Sequence, residues 1–328
     1  MKPKQLYKVL LISLGLLILF FLTRKDEKIN RGAFNSGDVV FKDFKEIKSF
    51  KLEQGPFKTE LHQVDGDWVV KNRHDFIADQ KQINDVLEDL KNMKVAQTVD
   101  TRSQDMKFYA LDKDSKHMSE RPVELSLIYN DSSEKTLYIG KPHNQGGKTA
   151  GRYYLDPSSN GVFISTQILR NTQADPRVWL RKFLPDYQGV LSVSYFSRER
   201  LIWQAGRSQL NKPFKFKYPS QLTKMTDQQT HGFMSQIFQS RYLDVEVARP
   251  ITKVDFEGER LEFVDHVGRR YTLELVSHID KFIKCRMRLN TEADLSGSKD
   301  YDDIKQTLTE WHFMLSDKLL PFMQMKSN

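Results

Sequence analysis

The chain reads as an α+β protein, with two related modules of antiparallel sheet plus helices in tandem, preceded by one N-terminal transmembrane helix. Three observations predict this. An uninterrupted apolar run lies near the N-terminus. Short segments of alternating polarity, separated by turn residues, are interspersed with amphipathic stretches of helical period. The same order of elements then occurs twice, with a period of about 145 residues.

The apolar run, Val9 to Leu22, reads VLLISLGLLILFFL, and Leu6, Tyr7, Lys8 and Thr23 extend it. Lys8 is close enough to the end to snorkel, and Tyr7 stands where an interfacial aromatic would. The membrane anchor is therefore placed on Leu6, Tyr7, Val9, Leu14, Leu17, Phe20, Phe21 and Leu22. A cleaved signal peptide is the competing reading. It calls for small residues at the cleavage site, whereas Leu22 is followed by Thr23, Arg24, Lys25, Asp26 and Glu27, which favours an uncleaved anchor. Residues 1–23 are thus assigned as cytoplasmic tip and anchor, and residues 24–43 as a juxtamembrane linker. The flanking positive charges nearly balance, so orientation follows from architecture: a bulky domain after an N-terminal anchor is expected outside.

In the first module, residues 44–186, IKSFKL at Ile47–Leu52 and KTELHQV at Lys58–Val64 alternate as strands, and Asp65-Gly66 turns the chain into Trp68–Val70. Asp79 and Gln82 have the capping-box spacing. Ile83, Val86, Leu87, Leu90 and Met93 follow on one helical face, opposite Lys81, Asp85, Glu88 and Lys91. Val95–Val99 reads as a returning strand. Further strands are expected at Val123–Tyr129, Thr136–Ile139, Arg152–Leu155 and Val162–Ile164, a short helix at Thr166–Asn171, and a boundary within Asp175–Asp186.

The second module, residues 187–328, repeats the order. Val190–Phe196 and Leu201–Trp203 read as strands, with Trp203 in the place of Trp68. Thr226 and Gln229 cap a helix through Gln239 carrying Phe233 and Ile237. A meander is expected over Lys253–Phe256, Arg260–Val264, Tyr271–Val276 and Phe282–Leu289. The last element is a helix over Asp302–Leu320 with Ile304, Leu308, Trp311, Leu315 and Leu319 on one face.

Charge and cysteine content narrow the function classes. The net charge is +8, but residues 1–33 hold seven basic and two acidic side chains, which leaves +3 for the remaining 295 residues. The basic excess flanks the apolar segment, where it meets lipid headgroups, so a nucleic-acid partner is not expected. Cys285 is the single cysteine; it rules out an internal disulfide and any CxxC site and reads as a small residue on a strand.

Asp67-Trp68-Val69-Val70 before Ala78-Asp79, the helix ending Leu87–Leu90, Tyr109-Ala110-Leu111-Asp112, Val123–Ile128, Leu137-Tyr138-Ile139-Gly140 and Arg152-Tyr153-Tyr154-Leu155 together resemble the bacterial family called domain of unknown function 4340. The resemblance covers most of residues 44–185 and, more faintly, the second half. The family more often has glycine where Ala110 stands and a proline soon after; here a polar insertion follows Asp112. The resemblance implies a protein in the bacterial inner membrane with a periplasmic ectodomain, often encoded near gliding-motility-type ABC transporter components. It brings no catalytic residues with it.

No motif carries chemistry. Gly146-Gly147-Lys148-Thr149 lacks the upstream glycine of a phosphate-binding loop, because position 142 is Pro142, so a glycine-rich hairpin is expected. Asp112 and Asp114 open like a calcium loop, yet Lys116 and Val123 occupy ligand positions. The eight histidines form no close zinc-type pair. Ser277, His278 and Asp280 hold triad residue types, but sequence proximity does not make a triad. Arg207–Tyr218 interleaves basic and aromatic residues as a half-buried strand does, with Phe214, Phe216 and Tyr218 on one face. No cofactor or metal is expected, and no enzyme activity. The expected function is an envelope accessory or scaffold protein whose ectodomain binds a partner protein, an ABC-type transporter or envelope complex, at an open sheet edge or a groove between the modules. The alternative is a periplasmic enzyme acting on cell-wall or envelope polymer.

Overall fold

The computed structural model of the protein describes residues 36–42, 44, 46–99, 105–159, 161–239, 243–250, 254–291 and 299–323. The anchor residues Leu6, Tyr7, Val9, Leu14, Leu17, Phe20, Phe21 and Leu22 lie outside these. Among the described residues no helix is long and apolar enough to cross a membrane.

Among the described residues the strands form two sheets, of nine and eight strands, with three helices of twelve or thirteen residues, an α+β architecture. The chain divides into two compact units. One takes the residues up to Glu60 and Lys81–Ala174; the other takes Leu61–Gln80 and everything from Asp175 onward.

In the first unit, β1 (Ile47–Gln54), β6 (Val123–Tyr129), β7 (Glu134–Gln145), β8 (Lys148–Asp156), β9 (Gly161–Ser165) and β5 (Val95–Val99) are hydrogen-bonded in that order, with antiparallel pairing throughout. Leu125 and Leu127 of β6 and Leu137 and Ile139 of β7 point inward at period two and are fully buried, as are Tyr154 and Phe163, whose rings lie 5.3 Å apart. Helix α1 (Gln80–Lys91) buries Ile83, Val86 and Leu90 and leaves Lys81, Asp85, Glu88 and Lys91 in solvent, as its 3.6-residue period requires. Gly146 and Gly147, at φ 58° and 76°, make the β7–β8 turn, so Gly146-Gly147-Lys148-Thr149 is a hairpin tip. Gly140 is needed for close packing: a Cβ there would lie 2.3 Å from the Tyr109 carbonyl oxygen. The expected helix at Thr166–Asn171 does not form. Leu169 takes φ 50°, and its carbonyl accepts from the half-buried Arg152 guanidinium (2.7 Å) and from Thr172 Oγ1 (3.0 Å).

In the second unit, the end of β2 (Phe57–Val64) pairs with β3 (Asp67–Val70), which pairs with β4 (Phe76–Ile77). Asp65 and Gly66 have positive φ, giving the expected turn. The eight-stranded sheet runs β12 (Lys215–Tyr218), β11 (Arg200–Gly206), β10 (Val190–Ser197), β14 (Glu259–Asp265), β15 (Arg269–Ile279), β16 (Phe282–Thr291), β17 (Trp311–Ser316), β13 (Asp244–Val247). Thr226 and Gln229 cap α2 (Asp227–Gln239) reciprocally: Thr226 N–H donates to Gln229 Oε1 (2.9 Å), and Gln229 N–H donates to Thr226 Oγ1 (3.3 Å). Phe233 on this helix stands edge-on to Trp203 (5.2 Å) and Phe216 (5.1 Å). Phe76 is buried edge-on to Trp311 at 4.8 Å, with Phe183 and Phe313 at 6.0 and 6.3 Å.

The order β10-β14-β15-β16-β17-β13 reproduces β1-β6-β7-β8-β9-β5, so the repeat is visible in strand order. In both, the strand that follows the helix in sequence is added at the far end of the run. Four expectations are corrected. Trp203 lies on β11, the second strand of its module in chain order, and Trp68 on β3, the third, so they are not equivalent. The final helix α3 (Lys299–Glu310) stops at Glu310, and Trp311–Ser316 becomes strand β17 between β16 and β13. Trp311, Phe313 and Leu315 alternate at period two and are buried, so pairing on both sides outweighs the helical stripe. Val254–Phe256 forms no strand, because Asp255 and Phe256 both donate to the single Val276 carbonyl; Lys253 lies outside the described residues. Phe214, just before β12, and Phe216 on it are buried as expected, but Tyr218 is exposed, following a register shift against β11.

Candidate functional site

Strand β13, DVEV, is the terminal strand of its sheet and pairs with β17 alone. Ala248 N–H donates to Glu310 O at 2.8 Å. Since the register matches Glu246 with His312 and Val247 with Trp311, ladder alternation turns the backbone groups of Val245 and Val247 away from β17. Among the described residues no strand takes them up, although Val245 N–H is bonded to the Asp244 carboxylate at 2.9 Å. Val247 is 39% exposed.

The corresponding strand of the first module is treated differently. Gly37 N–H donates to Val95 O (2.7 Å), Val95 N–H to Asp38 O (2.9 Å), and Val40 N–H to Met93 O (3.1 Å). Val39 bridges Lys94, and Ser36 Oγ donates to Ala96 O. A short piece of the chain, bridged at Val39, therefore covers Met93–Val95, the start of that edge of β5.

One end of the β13 edge is fixed by charge. Arg73 forks onto Asp244 through Nε (2.6 Å) and Nη2 (3.1 Å). Nearby, the hydrogen bond from Arg177 holds the Asp175 carboxyl below its usual range, with Arg73 contributing at longer range. Beyond that fork lies a cavity of about 490 Å³, lined by His74, Glu246, Val247, Arg249, Ser277, His278, Lys284 and His312 among others. His312 is almost wholly buried, and its Nδ1 makes no hydrogen bond; the nearest carboxylate oxygen, Glu246 Oε1, is 3.5 Å away and is also paired with Lys284 Nζ. Burial holds the imidazole below its ordinary pKa; Lys284 adds to this, and Glu246 opposes it. The ring is therefore neutral at neutral pH.

This arrangement lacks the connections of a nucleophilic relay. Ser277 makes no hydrogen bond to either His278 or His312 among the described contacts. His278 Nε2 stands 3.9 Å from Asp317 Oδ2, and Asp280 sits in a turn at φ 53°. Asp112 Oδ1 accepts from Asp114 N–H in a local turn. Among the described residues no group of three or more His, Cys, Asp or Glu side chains gathers at metal-binding distance. Cys285 is fully buried, and burial pushes its thiol far up, which makes it a packing residue.

A second cavity, of about 620 Å³, shares Arg249 and His312 with the first and lies among β16, β17 and α3. Two of its cations, Arg286 and Arg288, stand at alternate positions of IKCRMR and so share one strand face, a signal present in the sequence.

The model of the family described as Domain of unknown function (DUF4340) matches residues 68–213. No curated protein and no solved structure matches the chain.

Proposed function

We propose that this protein, whose residues 68–213 belong to the family described as Domain of unknown function (DUF4340), is a membrane-anchored accessory or scaffold protein of the bacterial envelope that binds a partner protein. The apolar run ahead of residue 24 anchors it in the inner membrane as a single pass, and the two sheet modules stand in the periplasm. The partner contributes an extended segment that adds to the β13 edge, where the corresponding strand β5 has its first residue covered by residues 37–40 of the chain itself. The contrast between those two edges carries this reading. An ABC-type transporter or envelope complex is the partner class that the family resemblance implies.

Two experiments test it. Full-length protein extracted in mild detergent recovers a membrane partner on pull-down; recovery of none, together with hydrolysis of envelope polymer by the purified protein, would establish the enzyme alternative instead. Protease added to intact spheroplasts degrades the modules. Their protection would put them in the cytoplasm.

A further inference from the structure

The geometry points to the second cavity as a binding site for a phosphate-bearing ligand, a property that does not depend on the partner reading above. Four cationic side chains reach it from three elements: Arg249 after β13, Arg286 and Arg288 on β16, and Lys305 on α3. Among the described residues no carboxylate lines it. Arg288 Nη2 is paired with Glu274 Oε2 at 3.1 Å. Arg249, Arg286 and Lys305 have no ion pair or side-chain hydrogen bond among the described contacts, and all four cations are solvent-exposed.

Neighbouring cations, three of them without an ion pair among the described contacts, repel one another and are retained at a cost unless an anion joins them. Arg286 and Arg288 stand two residues apart on one face of β16, and guanidinium N–H groups are suited to phosphate oxygens. His312 in the adjoining wall is held below its ordinary pKa by burial first, with Lys284 and, of these four cations, Arg286 adding to it, so the wall beside Arg286 does not add a fifth cation. Met287, Leu289, Leu308 and Trp311 give the cavity an apolar part of its lining, at the edge of β16 that β17 leaves unpaired. A ligand with a charged phosphate and an uncharged, flat or aliphatic body meets both surfaces. Such a phosphate arrives either on a soluble metabolite or on a lipid headgroup.

Trp311 lines the cavity, while Trp68, Trp179 and Trp203 are buried and line neither cavity described above, so tryptophan fluorescence reports occupancy. The full chain in a neutral detergent is titrated separately with inorganic pyrophosphate, with short-chain phosphatidylglycerol and with short-chain phosphatidylcholine. A saturable response to pyrophosphate identifies a soluble phosphorylated ligand. Response to phosphatidylglycerol, with none to pyrophosphate or phosphatidylcholine, identifies an anionic headgroup. Either supports the site, provided that Arg286→Gln with Arg288→Gln weakens binding by about tenfold or more. Trp311→Phe is expected to lose the optical signal, which assigns that signal to this cavity. No saturation with any probe, or unchanged affinity in the double variant with native circular dichroism, would overturn the proposal.

Discussion

Replacing Phe76 with alanine is expected to unfold much of what the second unit gains from the β3–β4 segment. The ring is 1% exposed, lies 4.8 Å from Trp311, and has Phe183 and Phe313 as further edge-on neighbours. Buried Phe→Ala changes cost about 3–5 kcal/mol, through lost transfer energy and the residual cavity. Three aromatic partners that cannot collapse inward place this site near the middle of that range, at about 4 kcal/mol. With a urea slope of about 2 kcal/mol per molar, the midpoint of the second unit's transition drops by about 2 M. The assay is urea unfolding of the full chain in detergent, followed by near-ultraviolet circular dichroism. Ile279→Ala, at a 41% exposed position of the same unit, serves as the control and is expected to cost less than about 1 kcal/mol. A loss below about 1 kcal/mol for Phe76→Ala, or one matched by the control, would refute the placement of Phe76 in that core.

Other perturbations have equally definite outcomes. Arg207 is buried without a carboxylate and donates to the carbonyls of Val190 (2.8 Å), Leu210, Tyr187 (both 2.6 Å) and Gln188 (2.7 Å). Arg207→Met strands those acceptors and is expected to cost about 3 kcal/mol in denaturant titration. Thr226→Ala opens the reciprocal cap of α2 and should cost about 1 kcal/mol, with Gln229→Ala adding little once the partner is gone. His312 has its folded pKa lowered, so below the ordinary value of 6.5 the unfolded chain binds the proton first. Stability therefore declines as pH falls through that range and on toward the folded pKa. Melting temperature measured against pH should show a shallower decline in His312→Phe than in the parent.

Much of the fold was legible from local patterns. Ile83, Val86 and Leu90 at helical spacing gave α1, and the boundaries of β6 came directly from VELSLIY, a β-branched and apolar run whose first five residues alternate in polarity. What escaped was set by long-range pairing. DVEV at β13 is too short and acidic to read as a strand, and it is one because β17 lies beside it. Trp311–Ser316 carries apolar residues at both periods, and only its two strand neighbours decide between them. Ala110 adopts φ 56°, the left-handed region that favours glycine, which accounts for the glycine that this family more often carries there. The candidate sites were less legible still. The register Arg286↔His312 and the return of the chain at Ala248 bring together cations that are scattered along the sequence.

The central claim is that an extended partner segment pairs with β13. A photo-crosslinking residue at Ile279, which lines the cavity beside that edge, tests it most directly in native membranes. Illumination is predicted to give one dominant adduct with an envelope protein. Val247→Pro, which removes an outward N–H while sparing the bonds to β17, is predicted to abolish that adduct. An adduct undiminished by Val247→Pro, or no adduct from a correctly inserted protein, would contradict the account.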